Sequence, residues 1–184
     1  MSEGIFSFFV VKSGGEWGKI GINVYVCYGG LYFSRLSMAF FTSEYECKLD
    51  TKGRLVLPAK IKTNLPEVST NELVIRKGFE PNLILYPMVE YKKIHHKISS
   101  LSEFDPEQRR LKRTFFRSIA QVELDSANRI NIPRQMLAHA QIDKEALLIG
   151  TGNYIEMWNP KVFDQHMISD DSEYSTLAQK FLDE

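Results

Sequence analysis

A ten-residue pattern occurs twice in this chain, 75 positions apart, and it restricts the fold more than any other feature. The first copy reads Leu49-Asp50-Thr51-Lys52-Gly53-Arg54-Leu55-Val56-Leu57-Pro58 and the second Leu124-Asp125-Ser126-Ala127-Asn128-Arg129-Ile130-Asn131-Ile132-Pro133. Leu, Asp, Arg and Pro recur in register, while Leu55 and Leu57 become Ile130 and Ile132. Self-similarity at a fixed interval means one supersecondary unit used twice.

The local chemistry of both copies points to a strand, a tight turn and a second strand. Apolar residues alternate at 47, 49, 55 and 57, and again at 122, 124, 130 and 132. This is the period of a half-buried strand. Asp50 and Asp125 suit the first turn position, where a carboxylate accepts backbone N–H groups. Gly53 falls where a type I turn with a bulge needs a left-handed residue. Its counterpart, Asn128, is the best non-glycine residue for that conformation.

Pro58 and Pro133 end the strands. Short helices are expected at 59–65 and 134–140. Further strands are expected at 73–75 and 82–86 in the first copy and at 146–149 and 154–158 in the second. Pro87 and Pro160 then open helices, a position that suits proline. A longer helix over 106–119, capped by Asp105, separates the copies. It is strongly basic from Arg109 to Arg117, with Leu111, Phe115 and Ile119 at helical spacing on one face. The fold class expected is β-rich α+β with peripheral helices.

Charge alone does not choose a partner. The 184 residues carry 23 basic and 23 acidic side chains, for a formal net charge of zero. The balance is uneven along the chain. Residues 48–134 hold 17 Lys or Arg against 10 Asp or Glu, and residues 164–184 hold six acids against one Lys. A basic middle attracts polyanions, yet such an excess is as readily a solvated surface. The basic helix fits the solvated reading best.

Catalytic and metal chemistry find no set of residues to carry them, and no cofactor is expected. His95 and His96 sit among lysines in a pattern that suits a helix surface. Cys27 and Cys47 lack a C-x-x-C partner, which argues against a disulfide framework or a zinc site and fits a reducing, cytoplasmic setting. Gly150-Thr151-Gly152 lacks the lysine and spacing of a phosphate loop and reads as a hairpin turn. No apolar run is long enough to span a bilayer. Residues 1–37 are rich in Phe, Tyr and Gly with weak periodicity, and they match a secretory signal poorly. They are expected to be a non-native or disordered extension, with Met38 as the true start.

The run from Tyr45 to Lys60 resembles the start of the MraZ family, bacterial transcriptional regulators associated with the division and cell-wall gene cluster. The resemblance continues through Leu83-Ile84-Leu85-Tyr86-Pro87, Arg109-Arg110 and Glu123 to Arg129, and covers about residues 38–165. It implies two AbrB-like swapped-hairpin motifs forming a pseudo-two-fold β-barrel. It also implies ring-shaped homo-oligomers on double-stranded DNA with repeated promoter boxes, in the cytoplasm and nucleoid and not at a membrane. The division expected is a first motif at 44–91, a helical connector at 92–118, a second motif at 119–162 and an acidic tail at 163–184.

By resemblance, Asp50, Lys52, Gly53 and Arg54 carry over from the first copy, and Asp125 and Arg129 from the second. Arg54 and Arg129 are expected to read base edges and Lys52 to contact phosphate. Asp50, Gly53, Asp125 and Asn128 shape the turns. Ala127 and Asn128 replace the Lys-Gly of the first copy, so the second turn loses one positive charge. Two alternatives stay open: each Arg serves only to fix its turn by pairing with the Asp, or the chain is an oligomeric protein-interaction module without sequence-specific DNA binding.

Overall fold

The computed structural model describes residues 27–28, 31–32, 39–66 and 71–182. Of the proposed N-terminal extension it describes two short strands, β1 (Cys27–Tyr28) and β2 (Leu31–Tyr32), which pair antiparallel. The rest of that expectation lies outside the described residues.

The first copy contributes β3 (Glu44–Lys48), β4 (Arg54–Val56), α1 (Ala59–Thr63), β5 (Glu72–Lys77), β6 (Asn82–Pro87) and α2 (Met88–Ser99). Helix α3 (Pro106–Arg117) follows. The second copy contributes β7 (Ile119–Glu123), β8 (Arg129–Asn131), α4 (Arg134–His139), β9 (Glu145–Gly150), β10 (Ile155–Trp158) and α5 (Pro160–Phe163), and the chain continues into α6 (Asp171–Leu182).

The copies exchange strands. β3 pairs with β9 of the other copy, and β7 pairs with β5, both antiparallel. β6 and β10 join the halves in the middle of a six-stranded sheet ordered β3-β9-β10-β6-β5-β7. β4 and β8 form a separate two-stranded ribbon. Within a copy, the two strands flanking the turn touch at one bridge in the first motif, Leu49 to Leu55. The motif is therefore a swapped hairpin rather than a simple one.

The expected closed barrel is not formed. Hydrogen bonding stops at β3 and β7, and the ribbon is not laddered into the six-stranded sheet. The cause is local. Each ribbon strand is three residues long, and Pro58 and Pro133, which lack an N–H, follow within two residues.

One face of the six-stranded sheet, with Leu73, Ile75, Leu83, Leu85, Leu148, Ile155 and Met157, shares a core with the ribbon residues Leu55, Leu57, Ile130 and Ile132. Ile61, Met136 and Leu137 from the short helices complete it. α2 covers the opposite face over β5 and β6. Its buried Glu90 accepts hydrogen bonds from Lys93 Nζ (2.7 Å) and from Asn153 Nδ2 (3.0 Å) in the β9–β10 turn. α5 packs on β9, and Trp158 meets Phe163 and His166.

Other expectations shift at their edges. α3 ends at Arg117, so Ile119 opens β7 instead of closing a helical face; Leu111 faces outward, and Phe115 and Phe116 are the half-buried pair. Asp105 caps α3 as expected, accepting from the backbone of Glu107 and Gln108. The acidic tail contains α6, which the charge pattern did not suggest. Ahead of the expected first motif, Phe41 is fully buried and exchanges two backbone hydrogen bonds with Gly152. Gly150 is needed there, because a Cβ would collide with the backbone of Phe41 and Thr42.

Leu55 and Ile130 are paired, fully buried and placed where the copies cross. Leu55→Ala should therefore destabilise both halves together, by roughly 2–5 kcal/mol, in one cooperative denaturant transition. Two separate transitions would show that the halves fold independently.

Candidate nucleic-acid interface

Each turn is built by its aspartate. Asp50 Oδ1 accepts the backbone N–H of Lys52 (2.9 Å) and of Arg54 (3.0 Å). Asp125 Oδ1 does the same for Ala127 and Arg129, both at 2.9 Å. The turns close by N–H donation from Gly53 to Asp50 O and from Asn128 to Asp125 O. Gly53 has φ +76° and Asn128 φ +57°, the left-handed conformation expected of both.

The second carboxylate oxygen holds the arginine. Asp50 Oδ2 accepts Arg54 Nε at 2.7 Å and lies 2.6 Å from Nη2. Asp125 Oδ2 accepts Arg129 Nε at 2.8 Å. The Arg54 hydrogen bond, with backbone donors, holds the Asp50 carboxyl down at about 2. Asp125 is lowered too, first by the Arg129 backbone N–H. The ion pair weighed from the sequence is thus present in both copies. It engages one edge of each guanidinium, and side chains of Arg54 and Arg129 remain about one-third exposed.

The ribbon sets the two arginines relative to each other. Leu55 faces Ile130 at the centre and both point into the core. Strand alternation then turns Arg54, Val56, Arg129 and Asn131 outward. Arg54 opposes Asn131, and Val56 opposes Arg129. The arginines therefore sit diagonally about the centre, roughly 7 Å apart along the strands. Lys52 is exposed at the tip of the first turn. Each turn carbonyl also accepts from the other copy: Asn128 O from Leu57 N and Gly53 O from Ile132 N. All seven residues named from the sequence gather on or beside this ribbon.

Two further residues were not singled out from the sequence. A Cβ on Gly53 would meet Leu137 Cδ1 at 3.3 Å, so Leu137 of α4 packs against the first turn. The residue equivalent to Leu137 in the first copy is Lys62, and its Nζ donates to Asn128 Oδ1 at the second turn. The exchange of Gly for Asn is thus coupled to an exchange of Leu for Lys in the facing helix. Lys62 also supplies an ammonium beside the turn that lost one at Ala127, so the second turn is less charge-poor than its own residues imply. The mismatch is visible in the repeat alignment, but contact across the copies follows only from the strand swap.

The basic residues of α3 stand elsewhere. Phe115 stacks near Arg76, 5.5 Å from its guanidinium carbon to the ring centroid, on the sheet face away from the core. α3 therefore lies across the sheet from the ribbon. Exposed His95 and His96 lie on α2, as expected. Among the described residues, no helix is long and apolar enough to cross a membrane.

Two outcomes test this geometry. Asn128→Ala should destabilise the fold by about 1–2 kcal/mol, the cost of a left-handed Cβ residue, and Asn128→Gly by less, as read by denaturant unfolding. The depressed Asp50 carboxyl contributes stability that is complete above its ordinary value of 3.8 and is lost as pH falls toward about 2. Thermal midpoints of the wild type should therefore drop between pH 4 and 2 more steeply than those of Asp50→Asn.

Comparison with known proteins completes the picture. The family model described as "MraZ protein" matches twice, over residues 40–114 and 115–182, with the boundary in the last turn of α3, ahead of β7. A curated relative, "Transcriptional regulator MraZ" of Cytophaga hutchinsonii, is 47% identical over 145 residues, spanning 79% of this chain and 96% of that protein. The two matched units coincide with the two strand-exchanging halves built around the doubled turn, and the chain belongs to the MraZ family.

Proposed function

We propose that this chain is a sequence-specific DNA-binding transcriptional regulator, acting as a repressor at the promoter of the division and cell-wall gene cluster. The observation that carries this reading is the ribbon, whose outward face holds two aspartate-braced arginines in fixed register. The relative's name, a transcriptional regulator, supports it.

The major groove admits a two-stranded ribbon, and a guanidinium pairs with guanine O6 and N7 through two donors. Asp50 occupies the Nε–Nη2 edge of Arg54, which leaves Nη1 and the outer N–H of Nη2 for a base. A side chain already held in place loses less entropy on binding. Lys52 contacts phosphate and sets position. Lys62 adds positive charge at the second turn.

One ribbon covers little DNA, so affinity comes from several ribbons on one molecule. A ring of identical chains on repeated promoter boxes supplies this through effective concentration. In this reading the motifs are 44–91 and 119–162, joined by the connector 92–118 and followed by the acidic tail. Occupation of the promoter excludes transcription, and the working site is the nucleoid.

The test is binding to promoter DNA across a salt series. Wild-type affinity should fall steeply as salt rises, because neutralised phosphates release counterions. Arg54→Ala should lose roughly 1–3 kcal/mol at a guanine-containing box and less on unrelated DNA. Equal losses on both DNAs would refute base reading by Arg54. The alternative, a protein-interaction module, draws on the exposed apolar residues of α6. It is favoured if no DNA binding appears at low salt.

A further inference from the structure

The outward face of the ribbon holds four side chains, and the function proposed above uses two of them. Arg54 and Arg129 are equivalent in the repeat, and so are Val56 and Asn131. The arginines match, but their companions do not. The repeat keeps Leu55 with Ile130 and Leu57 with Ile132 as apolar pairs, and it breaks at the position between them. Across the ribbon Arg54 opposes Asn131 and Val56 opposes Arg129. Each arginine therefore stands beside one of the unlike residues.

Neither companion packs into the core. Asn131 is exposed, and Val56 is 55% exposed. Of the large apolar side chains that the structure shows exposed, Val56 alone lies in a strand. Strand propensity accounts for a valine there, but not for an asparagine, which strands disfavour. What the two positions share is their place on the reading face.

Short side chains reach base edges only where longer ones do not hold the ribbon off. Here Asp50 and Asp125 fold each guanidinium back toward its own turn, which lets the shorter side chains approach. Along the ribbon the two rows are about 7 Å apart, close to two base steps of about 3.4 Å each. The major groove offers a partner to each type of side chain. An asparagine amide pairs with adenine N6 and N7, and an apolar side chain packs on the thymine 5-methyl.

We infer that Asn131 reads an adenine beside the guanine of Arg54, and that Val56 reads the 5-methyl of a thymine beside the guanine of Arg129. The inference rests on the DNA reading of the ribbon proposed above and names the residues that discriminate bases next to the arginines. Two arginines alone present the same group at both ends of the ribbon. Their unlike companions make the ends distinct, and this fixes the direction in which the ribbon lies on a box.

The test starts from full-length protein and a randomised double-stranded DNA pool, from which wild type selects its own box. Single groups are then removed from that duplex, with deoxyuridine for each thymine in turn and 7-deazaadenine for each adenine. Wild type should lose about fourfold in affinity at one thymine, the worth of one methyl-sized apolar contact. It should lose roughly fivefold or more at one adenine, where half of a bidentate pair is gone. Val56→Asn and Asn131→Val exchange the side chains that the two copies carry at this position, and unchanged circular dichroism establishes their fold. Val56→Asn should lose the thymine penalty and select adenine in its place, with the guanines retained. Asn131→Val should lose the adenine penalty and select thymine there. Variants that select the wild-type box with the same penalties overturn base reading by Val56 and Asn131 and leave the arginines' role standing. A wild type that selects no sequence overturns the DNA reading of the ribbon, and this inference with it.

Discussion

The exchange of strands between the copies is the constraint on which the rest of the molecule depends. Neither copy owns a sheet. The first strand of each is hydrogen-bonded along its length to the third strand of the other, and the ribbon takes one strand from each. Taking either copy away would strip backbone donors and acceptors from every strand of the remainder, and unpaired buried groups of that kind are rarely tolerated. It would also halve the core, since Leu55 and Leu57 are packed with Ile130 and Ile132. The relative placement of the two arginines follows from this backbone ladder and not from flexible side chains.

The aspartates carry two duties with one group. One oxygen organises the turn through backbone donors, and the other holds the guanidinium. A residue that merely fixed the turn would not need to sit where it also orients an outward arginine. In the second copy the brace is the same Nε bond, and the neighbouring ammonium comes from Lys62 of the other copy. The two turns are alike in backbone and unlike in how their surroundings reach them.

Much of this could be read from residue order. Alternation around both turns marked Leu55, Leu57, Ile130 and Ile132 as inward-facing, and the Gly53/Asn128 correspondence marked one left-handed conformation in two places. What stayed hidden was partnership. A strand shows the same alternation whichever strand it pairs with, so the swap came from family resemblance and not from periodicity. The barrel expected on the same grounds is left open by ribbon strands only three residues long. Ile119 looked helical because its spacing from Leu111 and Phe115 is helical, yet Ser118 caps α3 and Ile119 pairs with Arg76. Phe41 gave no signal because a single buried residue has no period, and Lys62 gave none because its partner lies in the other copy.

The swap also orders events during synthesis. Chains emerge from the ribosome N-terminus first, and domains generally fold as units in that order. Here the first repeat is complete as a stretch of residues long before it has anything to fold with. β3 must wait for β9, and β4 must wait for β8. Until roughly the last quarter of the chain is made, the nascent protein presents open strand edges and uncovered Leu55 and Leu57. Such edges invite pairing with other chains. This architecture therefore lengthens the interval in which a newborn copy needs protection, a burden that a tandem of self-contained hairpins would not carry.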